Sequence, residues 1–150
     1  MYKDTVTLFN RYRDQDRKTY WCPTVLHGAN LNIDKASIIA KYGTESKDNV
    51  VLNIRYKLDK EKVMVGDKQW LPPKEWKRQA GSTSSDKLTF NGTQEFDFFY
   101  AGEWEGEEPV SDDNYTNGFY SYMNETYDYV FAVTNVSKFS VIPHFEVMAK

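Results

Sequence analysis

Few side chains in this sequence have the chemistry of catalysis or metal binding. Cys22 stands between Trp21 and Pro23, His27 between Leu26 and Gly28, and His144 between Pro143 and Phe145. A cysteine nucleophile needs a base beside it, and these two histidines supply the only imidazoles. Neither sits in a His-x-x-x-His or His-Glu-x-x-His motif. There is no Gly-x-Ser-x-Gly, no phosphate-binding glycine loop and no Gly-x-Gly-x-x-Gly. All three residues therefore read as structural or solvated, with Cys22 a small packed side chain. A single cysteine excludes an intrachain disulfide framework and a zinc site built on several thiolates, which fits a reducing compartment. The expectation is a non-enzyme with no catalytic residue, no metal and no cofactor.

Carboxylates are more plentiful. Glu103, Glu105, Glu107, Glu108, Asp112 and Asp113 fall within eleven positions. One reading is a cation site. Another is a glycoside-hydrolysing pair drawn from Asp97, Glu103, Glu105 and Glu107, which needs two carboxyls about 5 to 9.5 Å apart in one cleft. The spacing matches no EF-hand loop. The plainer reading, and the preferred one, is a solvated loop whose charge favours the N-terminus of a following helix. A partner meeting these carboxylates would present a basic strip.

Aromatic residues give the stronger signal. Eleven tyrosines, nine phenylalanines and four tryptophans exceed what one small core needs, and Tyr and Trp are the residues of contact surfaces. Trp70, Trp76 and Trp104 fall in or beside expected turns, and Tyr115 opens a helical stripe. With Glu103, Glu105, Glu107 and Glu108 they form the candidate interaction set; the alternative is that the rings cap the ends of a sheet core. Exposed aromatic rows also bind sugars, so a carbohydrate-binding β-domain used in host adsorption is a second reading. It requires at least two of Trp70, Trp76, Trp104 and Tyr115 to be coplanar on an open face. Nucleic acid is disfavoured, because the net charge is -3 and the only basic cluster is Lys74, Lys77 and Arg78.

The elements that must hold these residues are mostly strands. Val6, Leu8 and Tyr12 share one face of residues 5–13, with Thr5, Thr7, Arg11 and Arg13 on the other. Val50, Leu52, Ile54 and Tyr56 form the apolar face of residues 49–56. Gly66-Asp67 predicts a type II′ hairpin, and Asn91-Gly92 a type I′ hairpin leading into a strand with Phe96, Phe98 and Tyr100 on one face. A third hairpin is expected from Tyr129–Asn135 and Phe139–Met148, with Pro143 marking an edge or bulge in the last strand. Pro72–Arg78 reads as a short helix. A second helix should open near Asp112 or Asp113, carrying Tyr115, Phe119, Tyr122, Met123 and Thr126 on one stripe, although Gly118 weakens it by about 1 kcal/mol. Residues 79–87 read as a polar loop able to order on a partner.

Length and composition bound the whole. A chain of 150 residues is one domain by default and buries roughly 70% of its unfolded surface. Its 40% apolar content argues for a packed core. No stretch reaches the ~18 apolar residues of a membrane helix, and the alternating start with Lys3 and Asp4 does not read as a signal peptide. The expected fold class is mainly β (α+β): a single β-rich domain over residues 1–150, its antiparallel sheet forming a sandwich or barrel with one or two short helices packed on it. Membrane and nucleic acid are not expected as partners.

Several segments together carry a resemblance. They are Thr24 to Gly43, Gly66-Asp67-Lys68 with Trp70-Leu71-Pro72-Pro73-Lys74-Glu75-Trp76, Phe96-Asp97-Phe98-Phe99, and Ser140-Val141-Ile142-Pro143-His144-Phe145-Glu146. The chain resembles an uncharacterised family of small prophage-encoded proteins of Gram-positive gut bacteria, found among head and tail morphogenesis genes. The resemblance implies a bacteriophage virion structural or assembly protein, at the head–tail junction, in tail completion or as a minor tail component. It implies other phage structural proteins as partners and a possible homo-oligomeric ring. It places the chain in the host bacterial cytoplasm during assembly and then in the virion. A ring would close through head-to-tail contacts, and free sheet edges and aromatic turns would serve them.

Overall fold

A computed structural model describes residues 2–33, 50–79 and 86–150. Most of the expected 79–87 loop and the 34–43 part of the resembling segment lie outside these residues.

Six strands close into an antiparallel barrel. They are β1 (Asp4–Arg13), β2 (Thr19–Ile33), β3 (Val50–Arg55), β8 (Phe98–Tyr100), β10 (Val130–Phe139) and β11 (His144–Ala149). Around the barrel they run β1-β8-β10-β11-β3-β2, and β2 returns to β1. Closure depends on β2 and β10 each serving two neighbours along their length. β2 pairs with β1 over Thr19–Leu26 and with β3 over Asn30–Ile33. β10 pairs with β8 through Val130–Ala132 and with β11 beyond Val133. Between its two halves, β2 carries one extra residue opposite Asp4 and Val6, and there Gly28 takes φ +71. This bulge turns the strand and leaves His27 exposed.

Period-2 alternation fills the interior. Val6, Leu8, Leu26, Val50, Leu52, Ile54, Phe99, Phe131, Val133, Phe145 and Val147 share one buried cluster. Burying so many apolar side chains supplies the main driving force of folding. β1 was expected to bury one face, yet Val6 through Asn10 are all buried. The reason is a second layer on its outer face, where Phe9, Trp21, Phe98, Tyr100, Phe119, Met123 and Val130 form a separate aromatic cluster.

A smaller sheet, β4 (Lys57–Asp59), β5 (Lys62–Val65), β6 (Lys68–Trp70) and β7 (Lys87–Leu88), packs on the barrel interior through Val65, Leu88 and Trp70. Its β6–β7 pair is parallel. The Gly66-Asp67 hairpin is present: Val65 faces Lys68 and only Gly66 takes positive φ, as a type II′ turn requires. Helix α1 (Pro73–Gln79) also forms, and buries Trp76.

Three expectations are corrected. Asn91-Gly92 is no hairpin turn, because β7 pairs with β6 while β8 pairs with β1 and β10. The Asn91 side chain instead caps its own loop by accepting from Thr93 N and donating to Glu95 O. Gly92 is held there by space: a Cβ would lie 2.5 Å from the Thr134 carbonyl carbon and oxygen. Pro143 ends the turn of the β10–β11 hairpin rather than interrupting a strand, and the bulge in that pair falls near Thr134. The second helix divides into a 3-10 turn (Asp112–Asn114) and α2 (Phe119–Thr126), because Gly118 takes φ +90 between them. The two-residue strand β9 (Val110–Ser111) pairs with the start of β2.

Candidate functional site

The eight candidate interaction residues divide between core and surface. Trp76 is only 2% exposed, and its indole N–H donates to Arg11 O at 3.0 Å. Trp70 is half-buried with its ring 5.0 Å from Phe145. These two rings close the core and are corrected as surface candidates. Trp104 and Tyr115 belong to the outer aromatic layer. Trp104 meets Phe9 edge-on at 5.4 Å and Phe119 at 5.5 Å, while Tyr115 lies 5.1 Å from Phe119 and 4.6 Å from Tyr122. With Trp70 and Trp76 turned inward, the aromatic platform of the sugar-binding reading is left to Trp104 and Tyr115, both half-buried in the outer layer.

Glu103, Glu105, Glu107 and Glu108 are all exposed. Their loop is fixed to β1 by one hydroxyl: Thr7 Oγ1 donates to Gly102 O at 2.8 Å and accepts from Trp104 N at 3.0 Å. Glu103 lies 3.8 Å from His27, whose other nitrogen contacts Thr5 Oγ1 at 3.3 Å. Among the described residues, no group of three or more acidic, His or Cys side chains converges as a metal site.

Beside this loop, α2 is seated by Asp112. Its Oδ1 accepts from Trp21 Nε1 at 3.0 Å and from Phe119 N at 2.8 Å, so one carboxylate satisfies a helix-start amide and a buried indole together. Tyr122 and Tyr127 remain exposed on the outer side. The result is a ridge of tyrosines and glutamates over the β1–β8–β10 face. The acidic 103–113 stretch is visible in the sequence, and a plain count extends it: residues 88–137 hold ten carboxylates and no Lys or Arg.

Asp97, offered as a hydrolytic carboxylate, is 1% exposed and serves structure. It accepts from Arg11 N, Asn10 Nδ2 and Asn91 N, at 2.9, 2.9 and 2.8 Å. Burial pushes its pKa up to about 7, outweighing those three donors, which act in the opposite sense. Asp97 is thus buried while Glu103, Glu105 and Glu107 stand exposed on their loop. The register carried a signal for this: Phe96, Phe98 and Tyr100 face outward, so Asp97 shares the inward side with Phe99.

Two concavities open on the described surface, and the ridge residue Glu107 lines the larger. The larger, about 490 Å³, lies between β2 and the β5–β6 turn and is lined by Thr24, His27, Arg55, Asp67, Lys68 and Glu107 among others. Lys68 Nζ donates to Thr24 Oγ1 at 2.7 Å, and burial lowers its pKa. The smaller, about 240 Å³, is lined by Arg11, Tyr12, Arg13, Lys77 and Glu95. Lys77 pairs with Glu95 at 2.8 Å.

A last surface escaped the sequence reading. The β10–β11 turn presents Val141 and Ile142, 95% and 72% exposed, beside Phe139 at 42%. Tyr56 anchors it, its N–H donating to Pro143 O at 3.3 Å and its hydroxyl to Phe139 O at 2.8 Å. Leu58, two residues on, is 65% exposed. The signal was the run Phe139-Ser140-Val141-Ile142-Pro143, apolar residues where a hairpin turn is expected to be polar.

Residues 1–150 match a family described as a family of unknown function (DUF6751). Neither the curated proteins nor the solved structures yield a match to the chain.

Proposed function

The chain belongs to this family of unknown function (DUF6751), and we propose that it is a bacteriophage virion structural or assembly protein working through protein–protein contacts. The observation that carries this is the hairpin tip. Val141 and Ile142 stand in solvent on a rigid two-stranded support anchored by Tyr56. Aliphatic side chains held out in this way gain free energy only when something covers them. The resemblance of the Ser140–Glu146 segment to prophage morphogenesis proteins supports the same reading, since it contains this tip. The partners on this reading are neighbouring virion proteins, at the head–tail junction or in the tail.

Purified particles and assembly intermediates, analysed by mass spectrometry, should contain the chain. Its absence from both would remove the proposal. The paired change Val141→Asp with Ile142→Asp should leave the fold and melting temperature unchanged while the chain disappears from particles. Particles that incorporate the variant normally would show that the tip is not the contact.

A further inference from the structure

We propose that copies of this chain associate head to tail, the glutamate ridge of one entering the basic cleft of the next. The inference rests on the contact-protein reading above and names one partner for it: a second copy.

Three observations converge. First, the ridge carries Glu103, Glu105, Glu107 and Glu108 exposed, inside a stretch with no Lys or Arg of its own. His27, 3.8 Å from Glu103, is charged only when protonated, and Lys68 lies towards Glu107 in the larger concavity, where burial lowers its pKa. Second, the cleft of Arg11, Arg13 and Lys77 holds three cations against one carboxylate, Glu95. Within it Arg11 Nε is buried and has no hydrogen-bond partner. Arg11 as a whole is only half-buried, so its guanidinium stays within reach of an incoming carboxylate, which answers it with charge-assisted geometry. Third, the two surfaces lie at opposite ends of the same strand face. The ridge is fixed at Thr7 and the cleft is built on Arg11 and Arg13. Six residues of strand separate Thr7 from Arg13 by roughly 20 Å, too far for one copy to neutralise itself. Translation along that axis brings ridge to cleft in the next copy. Such a contact is heterologous, so it builds rings or filaments rather than a closed pair.

The test uses the full chain by light scattering and sedimentation, from tens of micromolar to about 1 mM. At about 0.05 M salt the mass should rise with concentration, and at about 0.5 M the rise should vanish, because the contact is between charges. Glu103→Lys with Glu105→Lys should abolish association, weakening it by at least about tenfold. So should Arg13→Glu with Lys77→Glu. Mixed, the two variants should associate again, since the unaltered ridge of one fits the unaltered cleft of the other and the introduced lysines face the introduced glutamates at the second contact. If either variant melts early, Glu107→Lys with Glu108→Lys or Arg13→Glu alone replaces it. A wild-type chain monomeric at low salt, variants that associate like wild type, or a mixture that stays monomeric would each overturn the proposal. Failure here leaves the particle analysis untouched, and absence from particles leaves self-association testable in solution.

Discussion

Asp97 shows how position changes what a carboxylate does. On an exposed loop it would be one acid among many. Between Phe96 and Phe98 it turns inward and joins β1 to the 89–97 loop, through Asn10, Arg11 and Asn91. Its partner Asn10 also donates to Thr89 O at 2.6 Å, extending the network. Removing the carboxyl leaves three donors without it, so Asp97→Ala should cost about 3 kcal/mol by urea denaturation. The pH dependence has a definite sign. The folded carboxyl titrates near 7 and the unfolded one near 3.8. Between those values the folded state binds the extra proton, so stability is greatest below the window and falls as pH rises through it. Urea midpoints should therefore drop from about pH 5 to about pH 8 in the wild type, and Asp97→Asn should flatten that trend. An unchanged slope would assign the titration elsewhere. The charge of Asp97 was legible as chemistry, but its burial was not, because spacing names a face without saying what covers it.

Among the elements, turns were readable where backbone geometry alone decides them. Gly66-Asp67 forms its hairpin because both flanking strands lie within four residues and the glycine supplies positive φ. Asn91-Gly92 carries an equally strong local motif and fails, because β8 finds β1 and β10 as better partners than its upstream neighbour. The glycine there is required by the Thr134 backbone, so Gly92→Ala should destabilise by about 2 kcal/mol or more, with the shift read in thermal melts. Helix α2 offers the parallel case. Its apolar stripe was visible from Tyr115 to Thr126, but the helix starts only at Phe119, where Asp112 reaches back to receive it. Asp112→Ala should free both Phe119 N and Trp21 Nε1, costing about 2 kcal/mol and altering tryptophan fluorescence before global unfolding.

At the scale of the whole molecule, the barrel separates two layers of aromatic residues that composition had pooled. By composition the surplus of rings fits either a contact surface or caps on the sheet core, and much of it is a second core between β1, β8, β10 and α2. Trp70 and Trp76 likewise go inward, so the ridge of Tyr115, Tyr122 and Tyr127 with its glutamates is what remains outside. The modest net charge of -3 concealed an uneven distribution that becomes a surface only once the 88–137 segment is folded over one face. Strand content, the mainly β class, helix α1 and the tight β5–β6 turn follow from period, proline placement and glycine, all properties of neighbouring residues. Closure of the barrel, the burial of Asp97, and the choice of which tryptophans stay in water depend on pairings such as Thr7 with Tyr100, far apart along the chain. Those pairings are selected by the free energy of the assembled core, which no short window of residues contains.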